Sequence, residues 1–147
     1  MSAAARHLVN DTFPEDQAQI RRRLDEIWAT ARSRDFERLE SFHLYGPKFT
    51  EFKEGKPRGD ARSCAHGERM TFTMIDEPSV DMNDLAINVF GEAAIATFNG
   101  RFTGRIKGNP VALDQQATMV FARADGEWKI VHEHFSLIGP PPMPPRP

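Results

Sequence analysis

The second half of the chain constrains the fold most, because from residue 80 onward apolar side chains recur with a period of about two. Turn-forming residues interrupt this pattern at 91–92, 108–110 and 125–126. The interruptions delimit four predicted strands: Val80–Phe90, Ala93–Ile106, Val111–Arg123 and Glu127–Ile138. Asp-Gly between the last two strands is typical of a tight hairpin. We therefore expect an antiparallel meander in which consecutive strands are neighbours.

The first half of the chain is predicted to be mainly helical. Apolar residues at helical spacing between Ile20 and Ala31 indicate an amphipathic helix that begins near Pro14. A short second helix is expected around Leu39, and a third begins after Asp60, which can cap its first turn. The alternating segment at 48–52 predicts one short strand between them. Helices followed by a meander of strands predict an α+β fold with three N-terminal helices packed on a mainly antiparallel sheet.

Length and charge bound the class of protein. A chain of 147 residues fits one domain, which we place at residues 13–138, between a flexible leader (1–12) and a proline-rich tail (139–147). The net charge of −2 argues against a nucleic-acid partner. No apolar run is long enough to cross a membrane. The single cysteine, Cys64, and the lack of an apolar N-terminal stretch predict a cytoplasmic location.

The strands carry apolar residues at both odd and even positions, and therefore on both faces of the sheet, which predicts a partner chain. In the last predicted strand Val131 and Phe135 alternate with Trp128 and Ile130. Helices can cover one face of the sheet, and large exposed apolar patches are rare in monomers. We therefore expect a second copy of the chain to cover the other face, forming a homodimer through the sheet.

Helices on a curved sheet leave a concavity, which is the default ligand site of such a fold. Its predicted lining is apolar, which favours a small apolar ligand. The expected ligand-binding residues are Ile27, Trp28, Phe49, Met119, Phe121, Val131 and Phe135.

The closing hairpin carries a family resemblance. Over residues 117–136 a Gly126-x-Trp128 turn leads to the end His132-x-His134-x-Ser136. This resembles the terminal hairpin of SnoaL-like domains of the nuclear transport factor 2 superfamily. That superfamily includes ketosteroid isomerase, scytalone dehydratase and the kinase association (hub) domain. The resemblance covers about residues 14–138 and implies a cystatin-like cone.

The resemblance to ketosteroid isomerase places Glu51 where that enzyme has its base. A carboxyl group in an apolar cavity has a raised pKa and can act as acid or base near neutrality. Tyr45 and His66 are candidate helpers, whereas the position of the family's oxyanion-hole tyrosine falls near Ile27, which cannot donate a hydrogen bond. Two functions therefore stay open. One is binding of a small apolar ligand without turnover, and the other is cofactor-free isomerase, dehydratase or cyclase chemistry with Glu51 as acid or base.

His132 and His134 invite a metal or acid–base interpretation, because scytalone dehydratase uses a histidine pair. A zinc site needs three or four ligands, and spacing in the sequence places no third one beside these two. We therefore expect no metal, and we expect both side chains on the outer face of the sheet with Trp128 and Ile130. Cys64 is expected to be a small buried residue of the third helix.

Overall fold

A computed structural model describes residues 1–139, which form four helices and five strands. The helices are α1 (Ala3–Asn10), α2 (Pro14–Ser33), α3 (Phe36–Ser41) and α4 (Ala61–Met74). The strands are β1 (Thr50–Lys53), β2 (Asp76–Phe90), β3 (Ala93–Ile106), β4 (Asn109–Ala124) and β5 (Glu127–Leu137). The α+β prediction is confirmed. The proline-rich tail lies outside the described residues, except for Gly139.

The helices begin where the sequence chemistry allows. Pro14 occupies the first turn of α2, where its missing N–H costs nothing. Asp60 caps α4 as predicted: its Oδ1 accepts a hydrogen bond from the Ser63 amide at 2.9 Å, and Ser63 Oγ accepts one from the Asp60 amide at 2.8 Å. The structure differs from the expected loose leader in one respect, because α1 occupies residues 3–10. No residue of α1 is buried.

The five strands form one curved sheet in the order β1-β5-β4-β3-β2. Neighbouring strands are antiparallel except β1, which runs parallel to β5. The predicted hairpin joins β4 and β5. Asp125 and Gly126 both have positive φ angles, of 52° and 75°, which suit the right-handed twist of the flanking strands.

A β-bulge at Val131 changes the face of every residue that follows it in β5. Phe121 of β4 pairs with Ile130, and the next pair is Val120 with His132, so Val131 has no partner in β4. One inserted residue reverses the alternation. Trp128 and Ile130 before the bulge, and Phe135 after it, all lie in the core.

The bulge corrects the sequence-based assignment of faces in β5. Trp128 and Ile130 face inward and are buried, not on the outer face with the two histidines. His132 is half-buried, His134 is exposed, and Glu133 between them is buried. The expectation that the histidines avoid the inner face is therefore right, but the apolar residues of β5 share one face.

The core lies between α2 and the inner face of the sheet. The buried apolar residues of α2 are Ile20, Leu24, Ile27 and Ala31. The sheet contributes Ala94, Ala96, Phe98, Ala117, Met119, Phe121, Trp128, Ile130 and Phe135. Both glycines of β3 make close approaches: a Cβ at Gly104 would lie 2.4 Å from a methyl carbon of Ile75, where α4 meets the sheet. No helix within residues 1–139 is long and apolar enough to span a membrane.

Candidate functional site

A cavity of about 430 Å³ lies between α2, α4 and the inner face of the sheet. Its wall is mainly apolar, with contributions from Ile27, Trp28, Phe72, Phe102, Met119 and Phe135, among others. Carboxyl groups of Glu51, Glu54, Glu68 and Glu133 also line it, together with Lys53 and Gln115. The volume falls within the range typical of small-molecule sites.

Four of the seven predicted apolar residues line the cavity: Ile27, Trp28, Met119 and Phe135. The other three are not among its lining residues. Phe49 is buried beside the cavity, with its ring centroid 4.9 Å from that of Tyr45. Phe121 is fully buried in the core, and Val131 sits in the bulge of β5. The period of two assigned Val131 to the inner face because it did not include the bulge.

The three predicted catalytic residues have different positions. Glu51 of β1 lines the cavity, and its backbone is held by two hydrogen bonds to Gly59, of 3.0 and 2.8 Å. Tyr45 does not line the cavity but stacks on His43 behind it, with 4.8 Å between ring centroids. His66, the other predicted helper, is exposed on α4 and is not among the residues that line the cavity. On α4 the side chains of Cys64 and Glu68 face inward, whereas that of His66 faces solvent.

A buried polar cluster, which the sequence analysis did not predict, forms one end of the site. It consists of His43, Cys64, Glu68 and Glu133. His43 follows α3, where Phe42 and Leu44 exchange backbone hydrogen bonds with Ile130 and hold the loop against β5. Cys64 and Glu68 lie one turn apart on α4 and share a face. Glu133 projects from β5 at the inward position that the bulge creates.

The imidazole of His43 connects the cluster. Its Nε2 lies 3.0 Å from Oε1 of Glu133 and 3.4 Å from Oε1 of Glu68. Its Nδ1 lies 3.1 Å from the carbonyl oxygen of Leu39. The Cys64 thiol is 3.8 Å from Oε2 of Glu133. The side chain of His43 is fully buried, and that of Glu133 is nearly so.

The electrostatics of the cluster follow from burial and proximity. Burial alone lowers the pKa of His43, but hydrogen bonds and charge attraction from Glu133 and Glu68 outweigh it and raise the pKa to about 10. Burial also raises the pKa of the Glu68 carboxyl, against the opposing effect of His43. Burial and the neighbouring carboxylates raise the pKa of the Cys64 thiol. His43 and Glu68 therefore keep their protons to a higher pH than the same groups would in water.

Three buried polar atoms around the cavity and the cluster have no hydrogen-bond partner within the described chain: Nε1 of Trp28, Oε2 of Glu68 and the hydroxyl of Tyr45. An unsatisfied buried polar atom costs about 1–3 kcal/mol, so such atoms mark places where a ligand can stabilise the protein. Trp28 and Glu68 line the cavity. The ring of Tyr45 stacks on the imidazole of His43, which belongs to the cluster.

His132 and His134, the pair singled out in the sequence, lie on the other side of the sheet. His132 Nδ1 is 2.8 Å from the hydroxyl oxygen of Thr50, and His134 Nε2 is 3.0 Å from that of Ser136. Phe52 packs between them, with ring centroids 6.0 and 5.7 Å from the two imidazoles. These contacts make the two histidines part of the outer surface and not of the cavity.

Sequence comparison assigns the chain to a family. The profile of the SnoaL-like domain matches residues 20–140, so the chain belongs to the SnoaL-like family. No curated protein matches the sequence significantly.

Solved structures of similar fold agree with this assignment. A proposed dehydratase of the NTF2-like family from Streptomyces avermitilis has a TM-score of 0.78 and 19% identity, covering 86% of this chain and 99% of its own. An NTF2-like protein with a cystatin-like fold from Novosphingobium aromaticivorans has a TM-score of 0.67 and 17% identity, covering 84% and 82%. The CamKII hub homology domain of Chlamydomonas reinhardtii has a TM-score of 0.68 and 20% identity, covering 84% and 99%. At these identities the likeness establishes the NTF2-like, cystatin-like fold and no activity.

Proposed function

We propose that the cavity between α2, α4 and the sheet binds a small apolar molecule that carries a hydrogen-bond acceptor, without catalysing a reaction of it. The observation that carries the proposal is an apolar cavity of about 430 Å³ with Trp28 in its wall, whose buried indole N–H has no hydrogen-bond partner among residues 1–139. Apolar walls bind by excluding water, and one placed polar group orients the ligand. A ligand carbonyl or hydroxyl oxygen would satisfy Trp28.

Matched probes test the ligand class. We expect 2-acetylnaphthalene, which has a carbonyl oxygen, to bind more tightly than 2-ethylnaphthalene, which has the same ring and no acceptor. Trp28→Phe should reduce this preference about fivefold, the equivalent of one hydrogen bond of about 1 kcal/mol. Equal binding of the two probes to the native chain would contradict the role of Trp28.

A second pair of variants tests the place of binding. Thr71 of α4 lines the cavity, whereas Thr73 is exposed and outside it. Thr71→Trp should fill part of the cavity and abolish probe binding, and Thr73→Trp should leave it unchanged. Binding that survives Thr71→Trp in a folded variant would place the probe elsewhere.

The second candidate function is cofactor-free acid–base chemistry, and the observation that favours it is Glu51 in the cavity wall. Glu51 would remove a proton next to a ligand carbonyl, the step that isomerases, dehydratases and cyclases of this kind share. Its test is exchange with solvent: in D₂O, the methyl protons of bound 2-acetylnaphthalene should be replaced by deuterium, and Glu51→Gln should stop this while binding continues. If the protein does not accelerate this exchange, the catalytic alternative is excluded and only the binding function remains.

The proposal includes a homodimer formed through the outer face of the sheet. Ile95 of β3, Val120 of β4 and His132 of β5 pair side by side across this face, and Phe90 of β2 is 42% exposed near its edge. Helices α2 and α4 contribute to the opposite, cavity side of the sheet. A second copy would bury these apolar side chains. The single cysteine remains the argument for a cytoplasmic location.

A further inference from the structure

We propose that His43, Cys64, Glu68 and Glu133 form a binding site for a divalent transition metal, with Zn²⁺ the best fit. One ligand atom from each residue lies within 4.8 Å of all the others. The four residues come from the loop after α3, from α4 and from β5, so folding assembles them without any motif in the sequence. This proposal is independent of whether the cone binds an apolar molecule.

The hydrogen-bonding of His43 prepares its Nε2 to be a ligand. The carbonyl oxygen of Leu39, 3.1 Å from Nδ1, can only accept, so Nδ1 carries a hydrogen. Metal-binding histidines are typically oriented in this way, by donation from the second ring nitrogen to a carbonyl or carboxylate. Nε2 faces Glu133 and Glu68, so a metal ion that replaces the proton on Nε2 would lie between the imidazole and the two carboxyl groups.

The distances suit a tetrahedral ion. Zinc bonds of 2.0–2.3 Å to N, O and S imply about 3.3–3.6 Å between neighbouring ligand atoms. The separations from Nε2 to the carboxylates of Glu133 and Glu68 are 3.0 and 3.4 Å, and that from the Cys64 sulfur to Glu133 is 3.8 Å. The remaining separations among the four ligand atoms lie within 4.8 Å.

The unpaired atoms of the cluster supply an independent indication of a ligand. Oε2 of Glu68 is buried without a hydrogen-bond partner among residues 1–139, and so is the hydroxyl of Tyr45, whose ring stacks on His43. The carboxyl groups of Glu68 and Glu133 also lie close together in a low-dielectric interior, where two neighbouring negative charges are costly unless a cation lies beside them. A divalent cation compensates that charge and lets the thiol bind as a thiolate.

The donor set selects the class of metal. Imidazole and thiolate suit zinc and its neighbours in the first transition row, whereas Ca²⁺ and Mg²⁺ prefer oxygen donors. Glu68 and Glu133 belong to the cluster and also line the cavity, so an ion can reach the site through the cavity.

Titration of the untagged, full-length protein with Zn²⁺ and Co²⁺, after treatment with a chelator, tests the proposal. We expect one equivalent of Zn²⁺ to bind and to raise the melting temperature. Bound Co²⁺ should show a thiolate-to-metal charge-transfer band in the near ultraviolet. That band can come only from Cys64, because the chain has no other cysteine, so the native protein alone decides the point.

Variants assign the remaining ligands. Cys64→Ser and Glu68→Gln should each weaken Zn²⁺ binding more than about tenfold, since even the loss of an outer-shell partner costs that much. His66→Ala removes an exposed histidine from the same helix and should change nothing. No saturable binding, or binding with the same affinity in all three variants and no charge-transfer band, would overturn the proposal.

Discussion

His43 and Glu133 lie 90 residues apart in the chain, yet Nε2 of the imidazole is 3.0 Å from Oε1 of the carboxylate. The contact joins the loop after α3 to the last strand at the wall of the cavity. It requires the bulge at Val131, because without that residue Glu133 would project from the opposite face of β5.

The first prediction concerns the stability that this contact provides. In metal-free protein, His43→Gln should lower the free energy of unfolding by about 3–5 kcal/mol, because it leaves two buried carboxylates without their cation. Urea denaturation followed by circular dichroism measures the change. The control, His66→Gln, alters an exposed histidine of α4 and should stay within about 0.5 kcal/mol of the native chain. Equal stability of the two variants would contradict the account.

The second prediction concerns a variant from which Val131 is deleted. The deletion removes the bulge and turns either Trp128 and Ile130 or Glu133 and Phe135 to the outer face. We expect no cooperative thermal unfolding transition, whereas Val131→Ala keeps the residue count and should unfold cooperatively. A cooperative transition in the deletion variant at the native temperature would show that β5 tolerates the change of register.

The third prediction concerns acid. Hydrogen bonds from the Ser63 amide and hydroxyl hold the pKa of Asp60 below its ordinary value of 3.8. The charged cap therefore stabilises the fold above that ordinary value, and the stabilisation is lost as the pH falls through the lower pKa of the folded state. Asp60→Asn also caps a helix but does not titrate. The melting temperature of the native chain should fall more than that of the variant between pH 5 and pH 2, and parallel curves would contradict this role.

The proposed homodimer gives the fourth prediction. Sedimentation of the native chain should show a species of about 33 kDa, twice the chain mass of 16.6 kDa. Ile95→Arg places a charge in the outer face and should shift the population to the monomer. Thr73→Arg, on the exposed side of α4, should not. A native chain that sediments as a monomer at micromolar concentration would exclude the dimer.

The sequence predicted the parts of the fold that depend on local chemistry. The Asp125-Gly126 turn, the cap at Asp60 and the spacing of Ile20 to Ala31 each act over a few residues, so the strands and helices could be assigned from them. Four cavity-lining residues followed from the same pattern: Ile27, Trp28, Met119 and Phe135.

The polar cluster could not be predicted in this way, because its contacts are tertiary. A strict period of two assigned Trp128 and Ile130, which precede the unpaired Val131, to the wrong face of β5. Glu133 lies between two histidines that attracted attention as a pair, and only the spacing of Cys64 and Glu68, four residues apart, could have suggested one shared face. Nothing local links His43 to either element.

The central claim, that the cone binds an apolar molecule, is tested most directly at Met119. This residue lines the cavity and is 1% exposed, whereas Met70 and Met74 are 51% and 54% exposed on α4 and do not line it. The measurement is a titration of ¹³C-methyl-labelled methionine protein with 2-acetylnaphthalene, followed by NMR, with Met119 assigned from Met119→Leu. We predict a saturable shift of the Met119 methyl resonance with little change at Met70 and Met74. An unchanged Met119 resonance, or shifts confined to the two exposed methionines, would contradict the claim.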